Sequence, residues 1–328
     1  MSTPNLSDIC KIIADDLVAV EKKLREKTAS EYEFVDVAVH HVVEGGGKRL
    51  RPILLLLSAK ACGYQGADAH TLATVVELIH VASLVHDDVL DEAPIRRGVE
   101  TLHSKWGNKV AVLVGDYLHA HVLSMLVARR SDDPALSILS DATQAMCEGE
   151  VIHAYKSDDF NISKDDYLKI IALKTGRLIT ASCTMGAILG TKDEKIIQAI
   201  GDYGESVGIA FQIIDDLLDF VADQQQFGKA SFSDLREGKL TFPIIYTRQI
   251  CTDDERATLE KIFNAEMEAD LAIEWVQSLL QRYHTQAYCL KVAQEYVERA
   301  KSALFALPKT PARSDLQQLA DYVVSRDW

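Results

Sequence analysis

Apolar residues recur at helical spacing almost from the start of the chain. Ile9, Ile12, Ile13, Leu17, Val20 and Leu24 share one helix face, which predicts an amphipathic helix over 5–28, followed by a short one over 33–43. Gly45-Gly46-Gly47 breaks the pattern, and Lys48-Arg49-Leu50-Arg51-Pro52 opens the next run, Ile53 to Cys62. From Leu72 to Leu90 nearly every side chain is apolar and neither Gly nor Pro intervenes, as in a helix buried on all sides. Helical periods continue over about 108–130, 135–155, 164–190 and 194–222. The polar stretch Asp223 to Lys239 is expected to be a mobile loop, and beyond Pro243 the chain reads as helix to its end, most clearly at 270–280 and 287–306. No run alternates with the period of a strand. The expectation is an all-α fold: one large bundle of ten or more helices in a single domain, 1–328, because no Ser/Gly/Pro linker or repeat marks a seam.

Two places in this apolar pattern carry chemistry. His86-Asp87-Asp88-Val89-Leu90-Asp91 closes the most apolar run, and positions 87 and 91, four apart, leave one helix face. Like charges so placed repel by roughly 0.2–0.5 kcal/mol even in water, and buried carboxylates need a partner, a proton or a metal. Asp215-Asp216-Leu217-Leu218-Asp219 repeats the spacing inside a second run, Ile209 to Val221. A single such cluster is usually a solvated helix face. Two, each bracketed by Leu, Ile, Val and Phe, fit a pair facing one another across a bundle as an oxygen-only site for a hard divalent cation. Magnesium suits it best, because it keeps several waters and shares its coordination with phosphates.

Composition narrows the partners. A formal charge of −14 and a pI near 5.2 argue against nucleic acid and anionic membranes, so any anion-binding groups must be local. Cys10, Cys62, Cys147, Cys183, Cys251 and Cys289 show no metal or disulfide spacing. The N-terminus lacks a basic and apolar leader, and no apolar stretch is expected to reach the roughly 18 residues of a membrane span, so a soluble, cytoplasmic protein is expected.

The local cations are Lys48 and Arg51 at a helix start behind the glycines, Arg96 and Arg97 after the first acidic cluster, Lys174 beside Thr175, and Lys229 and Lys239 after the second. Exposed N–H groups at a helix start favour anions, and Arg suits bidentate phosphate contacts. Carboxylates with magnesium, ringed by cations and set over apolar helices, suit a substrate with a diphosphate head and a hydrocarbon tail. The chemistry favoured there is ionisation, in which developing charge on the diphosphate is stabilised in a dry cavity.

Gly46-Gly47-Lys48-Arg49-Leu50-Arg51-Pro52, the Asp87 cluster with Arg96-Arg97-Gly98, Gly115-Asp116-Tyr117, Lys174-Thr175, Phe211-Gln212-Ile213-Ile214-Asp215-Asp216 and Gly238-Lys239-Leu240-Thr241-Phe242-Pro243 follow in order. In this order and spacing the chain resembles the trans-isoprenyl (polyprenyl) diphosphate synthase family over about residues 45–245, and its tail is similar to that of bacterial long-chain, octaprenyl-type members. The resemblance implies the isoprenoid synthase fold around a deep apolar cavity, a homodimer, and condensation of isopentenyl diphosphate with an allylic diphosphate. It implies that Asp87 and Asp91 hold two magnesium ions and Asp215 a third, with Asp88, Asp216 and Asp219 in support. Arg96, Lys174, Lys229 and Lys239 would grip the allylic diphosphate. Gly47, Lys48, Arg51, His80 and Arg97 would bind isopentenyl diphosphate, and Thr175 and Gln212 would line the site where the cation forms. Released diphosphate would take the final proton, so His80 is given no role as a base; the bland reading of it is a satisfied core histidine. Phe232 stands where many relatives have Gly, so the loop holding Lys229 is expected to follow a different path if that position needs a positive φ.

In the family, the residue five before the first acidic motif gates product length, and here it is Ala82, followed by Ser83. Small residues leave the shaft open, and moving from Ala82 to Val75 adds about 10 Å of depth. Its floor is then expected among Val75, Val76 and Ile79, with Leu123, Met125 or Leu126 opposite. The product implied is an all-trans chain of about the octaprenyl class, of the kind used as a quinone tail and passed to membrane enzymes.

Rival readings are a shorter-chain (farnesyl or geranylgeranyl) synthase, a terpene cyclase, for which Lys48, Arg51 and Arg97 would have no use, and a non-catalytic partner subunit. From a different class comes a ferritin-like di-iron bundle, suggested by Glu77-Leu78-Ile79-His80 and Glu150-Val151-Ile152-His153.

Overall fold

A computed structural model describes residues 5–129, 133–157, 159–221, 232–236 and 238–325. The helix expected over 5–28 is broken: Asn5 caps Leu6–Ile9, a tight turn follows at Lys11–Ile13, and the main helix is Ala14–Thr28. Glu33–Val43 follows, then the glycine break, then Leu50–Ala61, in which every side chain from Pro52 to Ala59 is buried. Asp68–Leu90, the first acidic helix, buries Leu72, Val75, Val76, Ile79 and Ala82 and so fills the centre of the bundle.

The first acidic helix packs on Asn108–Val127 on one side and on Leu50–Ala61 on the other. Leu50–Ala61 lies along Arg177–Gly190, which in turn lies against Glu194–Val221, the second acidic helix. Ala135–Lys156 closes this arrangement, touching Arg177–Gly190 and the first acidic helix. Thr285–Ala303 and Pro311–Ser325 back the second acidic helix. The bundle is all-α, as expected.

Two details differ from the sequence expectation. A minimal antiparallel pair, Ile95–Arg96 with Val99–Glu100, follows the first acidic cluster. It escapes pattern analysis because two residues are too few to alternate. Two helices, Asp68–Leu90 and Asn108–Val127, are long and apolar enough to cross a membrane by length and composition, with 67% and 33% of their most apolar windows buried. Uninterrupted apolar runs miss them, because a charge or a polar residue splits each run without lowering its mean hydropathy much.

The loop expected to be mobile, together with Lys229, falls outside the described residues except for Phe232–Arg236 and the approach to Phe242. Phe232 itself adopts φ 66°. The chain accepts a left-handed phenylalanine there and sets its ring, 3% exposed, edge-on to Phe220 at 5.3 Å.

Candidate active site

The site is built from the end of the first acidic helix, the end of the second and the segment that follows the second, whose Lys239 reaches Asp91. Asp88 is the buried member of the first cluster, 6% exposed, and turns away from its neighbours to accept a hydrogen bond from Arg96 Nε. Asp87 and Asp91 are half-buried. Burial pushes the Asp87 carboxyl up to about 6; Lys174 opposes that rise, while Glu150 and Asp91 add to it.

The small hairpin divides two adjacent arginines. Its turn residues, Arg97 and Gly98, have φ of 53° and 77°, the left-handed pair that matches the twist of a two-residue hairpin. Arg96 consequently faces Asp88, while Arg97 reaches the carbonyl of Gly46. A Cβ on Gly47, whose φ is 143°, would overlap the Arg97 guanidinium, so only glycine admits this approach.

Behind that loop the positive charge is concentrated. Burial, then Arg97, pushes Arg51 down to about 10, and its Nε is buried with no hydrogen-bond partner. Burial and the neighbouring arginines Arg51, Arg97, Arg96 and Arg49 hold His80 well below the usual imidazole range, so it is neutral. Lys48 is exposed, its ammonium 3.4 Å from the Tyr322 hydroxyl on the C-terminal helix. A buried guanidinium nitrogen without a partner, beside a second arginine and a glycine loop, is the arrangement expected of an anion site.

In the second cluster Asp215 is exposed and Asp216 is 3% exposed. Asp216 accepts from Tyr167 Oη and, at 2.9 Å, from Gln212 Nε2; Thr175 Oγ1 donates at 2.9 Å to Gln212 Oε1. Burial pushes Asp216 up to about 6 despite these donors. Asp219 is turned to the following segment, its Oδ2 accepting from the Asp234 N–H at 3.0 Å.

Three relationships bring the clusters together. Lys239, beyond the second acidic helix, donates at 2.8 Å to Asp91 in the first. Arg51 senses both Asp87 and Asp215. Lys174 and Thr175, adjacent in sequence, face opposite clusters: Lys174 acts on Asp87, whereas Thr175 bonds Gln212. Adjacent helix side chains point about 100° apart in any case, and here they lie in a π turn at Ala172–Gly176, a wider helical turn of the kind found at functional sites.

Of the chain-length candidates, Val75, Val76, Ile79, Ala82 and Leu126 are buried, Met125 packs on the core, and Ser83 bonds the His80 carbonyl at 2.9 Å. Leu123 is 55% exposed and faces away from the core, so it is not part of an interior floor.

The di-iron alternative fails on geometry. Glu77 is 2% exposed and held by Arg49 at 2.9 Å, and Glu150 is held by Lys174 at 2.6 Å. Among the described residues no three carboxylate, imidazole or thiolate groups converge as a metal cage. The donor set fits a magnesium ion instead, because that ion takes one or two carboxylates and completes its coordination with waters and phosphate oxygens.

Sequence reasoning missed Tyr167, which supports Asp216 from 49 residues away, and the Arg49 bridge, which joins Glu21 at 2.6 Å to Glu77. It used Glu150 only in the rival reading. No local pattern marks Tyr167. The Arg49 side chain was legible only as one more cation in the glycine motif.

The polyprenyl synthetase family profile matches residues 32–280. The octaprenyl diphosphate synthase of Escherichia coli (strain K12) is 35% identical over 98% of this chain and 99% of its own length. Among solved structures, a decaprenyl diphosphate synthase from Rhodobacter capsulatus is 37% identical, with a TM-score of 0.92 over 98% of this chain and 99% of that one. A polyprenyl synthase from Caulobacter crescentus CB15, complexed with calcium and isoprenyl diphosphate, is 32% identical, with a TM-score of 0.93 over 99% of both chains. Fold, motif order and full-length similarity agree: the chain has the isoprenoid synthase fold, belongs to the polyprenyl synthetase family and is a prenyltransferase.

Proposed function

We propose that the protein is a long-chain all-trans polyprenyl diphosphate synthase, of about the octaprenyl class, in which residues 1–328 act as one catalytic unit. The observation that supports this reading is the bond from Lys239, beyond the second acidic helix, to Asp91 in the first cluster, with Arg51 in electrostatic reach of both Asp87 and Asp215. Similarity to octaprenyl and decaprenyl synthases, and the small or modest side chains at Ala82, Val75 and Val76, support a long product.

Asp87, Asp91 and Asp215 are the carboxylates that would hold magnesium, three ions in the loaded site, with Asp219 beside them. Magnesium, when bound, supplies positive charge that stabilises the allylic diphosphate as it leaves. Arg96, Lys174 and Lys239, with Lys229, which lies outside the described residues, would grip that diphosphate. Lys48, Arg51, Arg97, His80 and the Gly47 backbone hold isopentenyl diphosphate, whose double bond attacks the allylic cation. Neutral His80 serves as a hydrogen-bonding group rather than a charge. Thr175 and Gln212 present oxygen dipoles near the cation, and Tyr167 fixes Gln212 through Asp216. Asp88 keeps Arg96 aimed at the cluster.

The same reading includes a homodimer. Leu113, Leu123 and Val127 on one helix and Val151 and Tyr155 on the next are each 55–84% exposed, an apolar face suited to a second copy. Six free cysteines fit a reducing compartment, the cytoplasm, from which the hydrophobic product would pass to membrane enzymes making quinone side chains.

Radiolabelled isopentenyl diphosphate, farnesyl diphosphate and magnesium test the assignment. The wild type is expected to extend the chain, and Asp87→Asn and Asp215→Asn to lose at least about 100-fold in rate. Undiminished turnover in both variants would refute the assigned roles.

A further inference from the structure

Glu150-Val151-Ile152-His153, without a role in the machinery above, lies against it. Glu150 Oε2 sits 2.6 Å from Lys174 Nζ and Oε1 sits 3.8 Å from His153 Nδ1. The two charged partners are 28% and 31% exposed, so solvent screens them only partly. A Cβ on the preceding Gly149 would come within 2.8 Å of the Lys174 backbone nitrogen; glycine there lets the π turn settle on this helix. Burial alone would raise the Glu150 carboxyl, but His153 and Lys174 hold it at about 2. It is therefore a fixed negative charge facing the lysine.

Lys174 has a second carboxylate within electrostatic reach, Asp87. A long flexible ammonium between two acids, one of which is needed for metal, is in the wrong place if it falls onto the metal ligand.

We propose that Glu150 is a positioning residue that holds the Lys174 ammonium extended at the rim of the first acidic cluster, ready for the allylic diphosphate, and keeps it off Asp87. The inference rests on the proposed function above. An ammonium carries three donors, so the bond to Glu150 leaves two for diphosphate oxygens. Fixing the side chain before substrate arrives removes an ordering cost from binding. Without Glu150 the ammonium would be drawn toward Asp87, the other carboxylate within its electrostatic reach, where it would compete with magnesium.

The test compares Glu150→Ala and Glu150→Gln in the wild-type and Lys174→Ala backgrounds. For Glu150→Ala, supporting-shell losses near metals lead us to expect rises of about tenfold in the half-saturating magnesium concentration and in the allylic KM, with the isopentenyl KM unchanged. Glu150→Gln, whose amide oxygen still accepts from Lys174, is expected to recover most of both. In the Lys174→Ala background, Glu150→Ala is expected to change neither, because the effect runs through the lysine. A uniform loss of kcat with both dependences unmoved, or the same shifts without Lys174, would overturn the inference. Calorimetric binding of inorganic diphosphate with magnesium to the same variants reads the positioning without turnover. Loss of polyprenyl product from the wild type would count against the functional reading, whereas equal diphosphate affinity in wild type and Glu150→Ala would count against Glu150.

Discussion

Lys239 Nζ donates to Asp91 Oδ1 at 2.8 Å, joining the segment that follows the second acidic helix to the end of the first. The lysine is 24% and the aspartate 30% exposed, so the bond spans the mouth of the site rather than its depth. On the proposed assignment Asp91 would hold metal and Lys239 would be left to bind the diphosphate. Hydrogen bonds to charged groups contribute about 1.5–3 kcal/mol net, so Lys239→Ala should raise the allylic KM roughly tenfold or more. The isopentenyl KM should stay within about twofold, because the Arg51 and Arg97 site lies behind the glycine loop. Steady-state kinetics with each substrate varied in turn separate the two.

Ala82 is fully buried on the first acidic helix, one turn and a half before Asp87. If hydrocarbon passes this position, Ala82→Phe closes the shaft and the product collapses to a short prenyl chain on chromatography. An unchanged product from a folded variant would mean that Ala82 only packs against a neighbour. Overpacking costs about 1–3 kcal/mol, so the variant's Tm should be measured alongside. Leu123→Ala, at a 55% exposed position, is expected to leave product length unchanged.

Burial, which penalises its charge, pushes the Asp216 carboxyl in the folded protein up to about 6 from an ordinary 3.8. Between these values the folded state keeps a proton that the unfolded state has lost. Its contribution to stability is fully present below pH 3.8 and is lost as pH rises through 6, on the order of 2–3 kcal/mol. Wild type should therefore lose stability relative to Asp216→Asn as pH is raised from 4 to 7 without metal. Taking the difference between the two proteins removes His80, which is held neutral and works in the opposite direction. Urea melts at several pH values give the result; a difference that does not vary with pH would contradict it.

Arg49 links the N-terminal helix to the first acidic helix, its guanidinium bonded to Glu21, Glu77 and the Val43 carbonyl. Glu77 is 2% exposed and its Oε2 has no hydrogen-bond partner. Removing Arg49 takes away the hydrogen-bond donor of a buried carboxylate and leaves only the electrostatic support of Arg51 and Arg97, so Arg49→Ala should cost about 3 kcal/mol in a denaturation curve. Arg49→Met with Glu77→Leu should recover at least half of that loss. An additive double variant would show that the pair is not coupled.

The helices and both acidic clusters were legible because each departs clearly from a strong background: apolar runs of helical period and carboxylates where such runs forbid them. Helix Asn108–Val127 shows the limit of that signal. It is apolar nearly all round, so nothing in its period says that Val122 and Leu126 face inward and Leu123 outward. The π turn at Ala172–Gly176, which packs against Glu194–Val221 and Ala135–Lys156, is marked by no residue pattern in the sequence. Arg97, Phe232 and Arg49 all take positive φ, which residue preference argues against; each is held there by its surroundings, the first by the Gly46 carbonyl, the second by Phe220 and the third by two glutamates. The Tyr167–Asp216–Gln212–Thr175 chain joins two stretches of helix far apart in sequence and exists only once they are packed.

The most direct measurement is the mass of the product formed from farnesyl diphosphate and excess isopentenyl diphosphate with magnesium. The expected result is an all-trans diphosphate centred on about eight isoprene units, absent when magnesium is chelated. A product that stops at three or four units would contradict the open shaft at Ala82, and no condensation at all would contradict the reading of the two facing acidic clusters as a prenyl-transfer site.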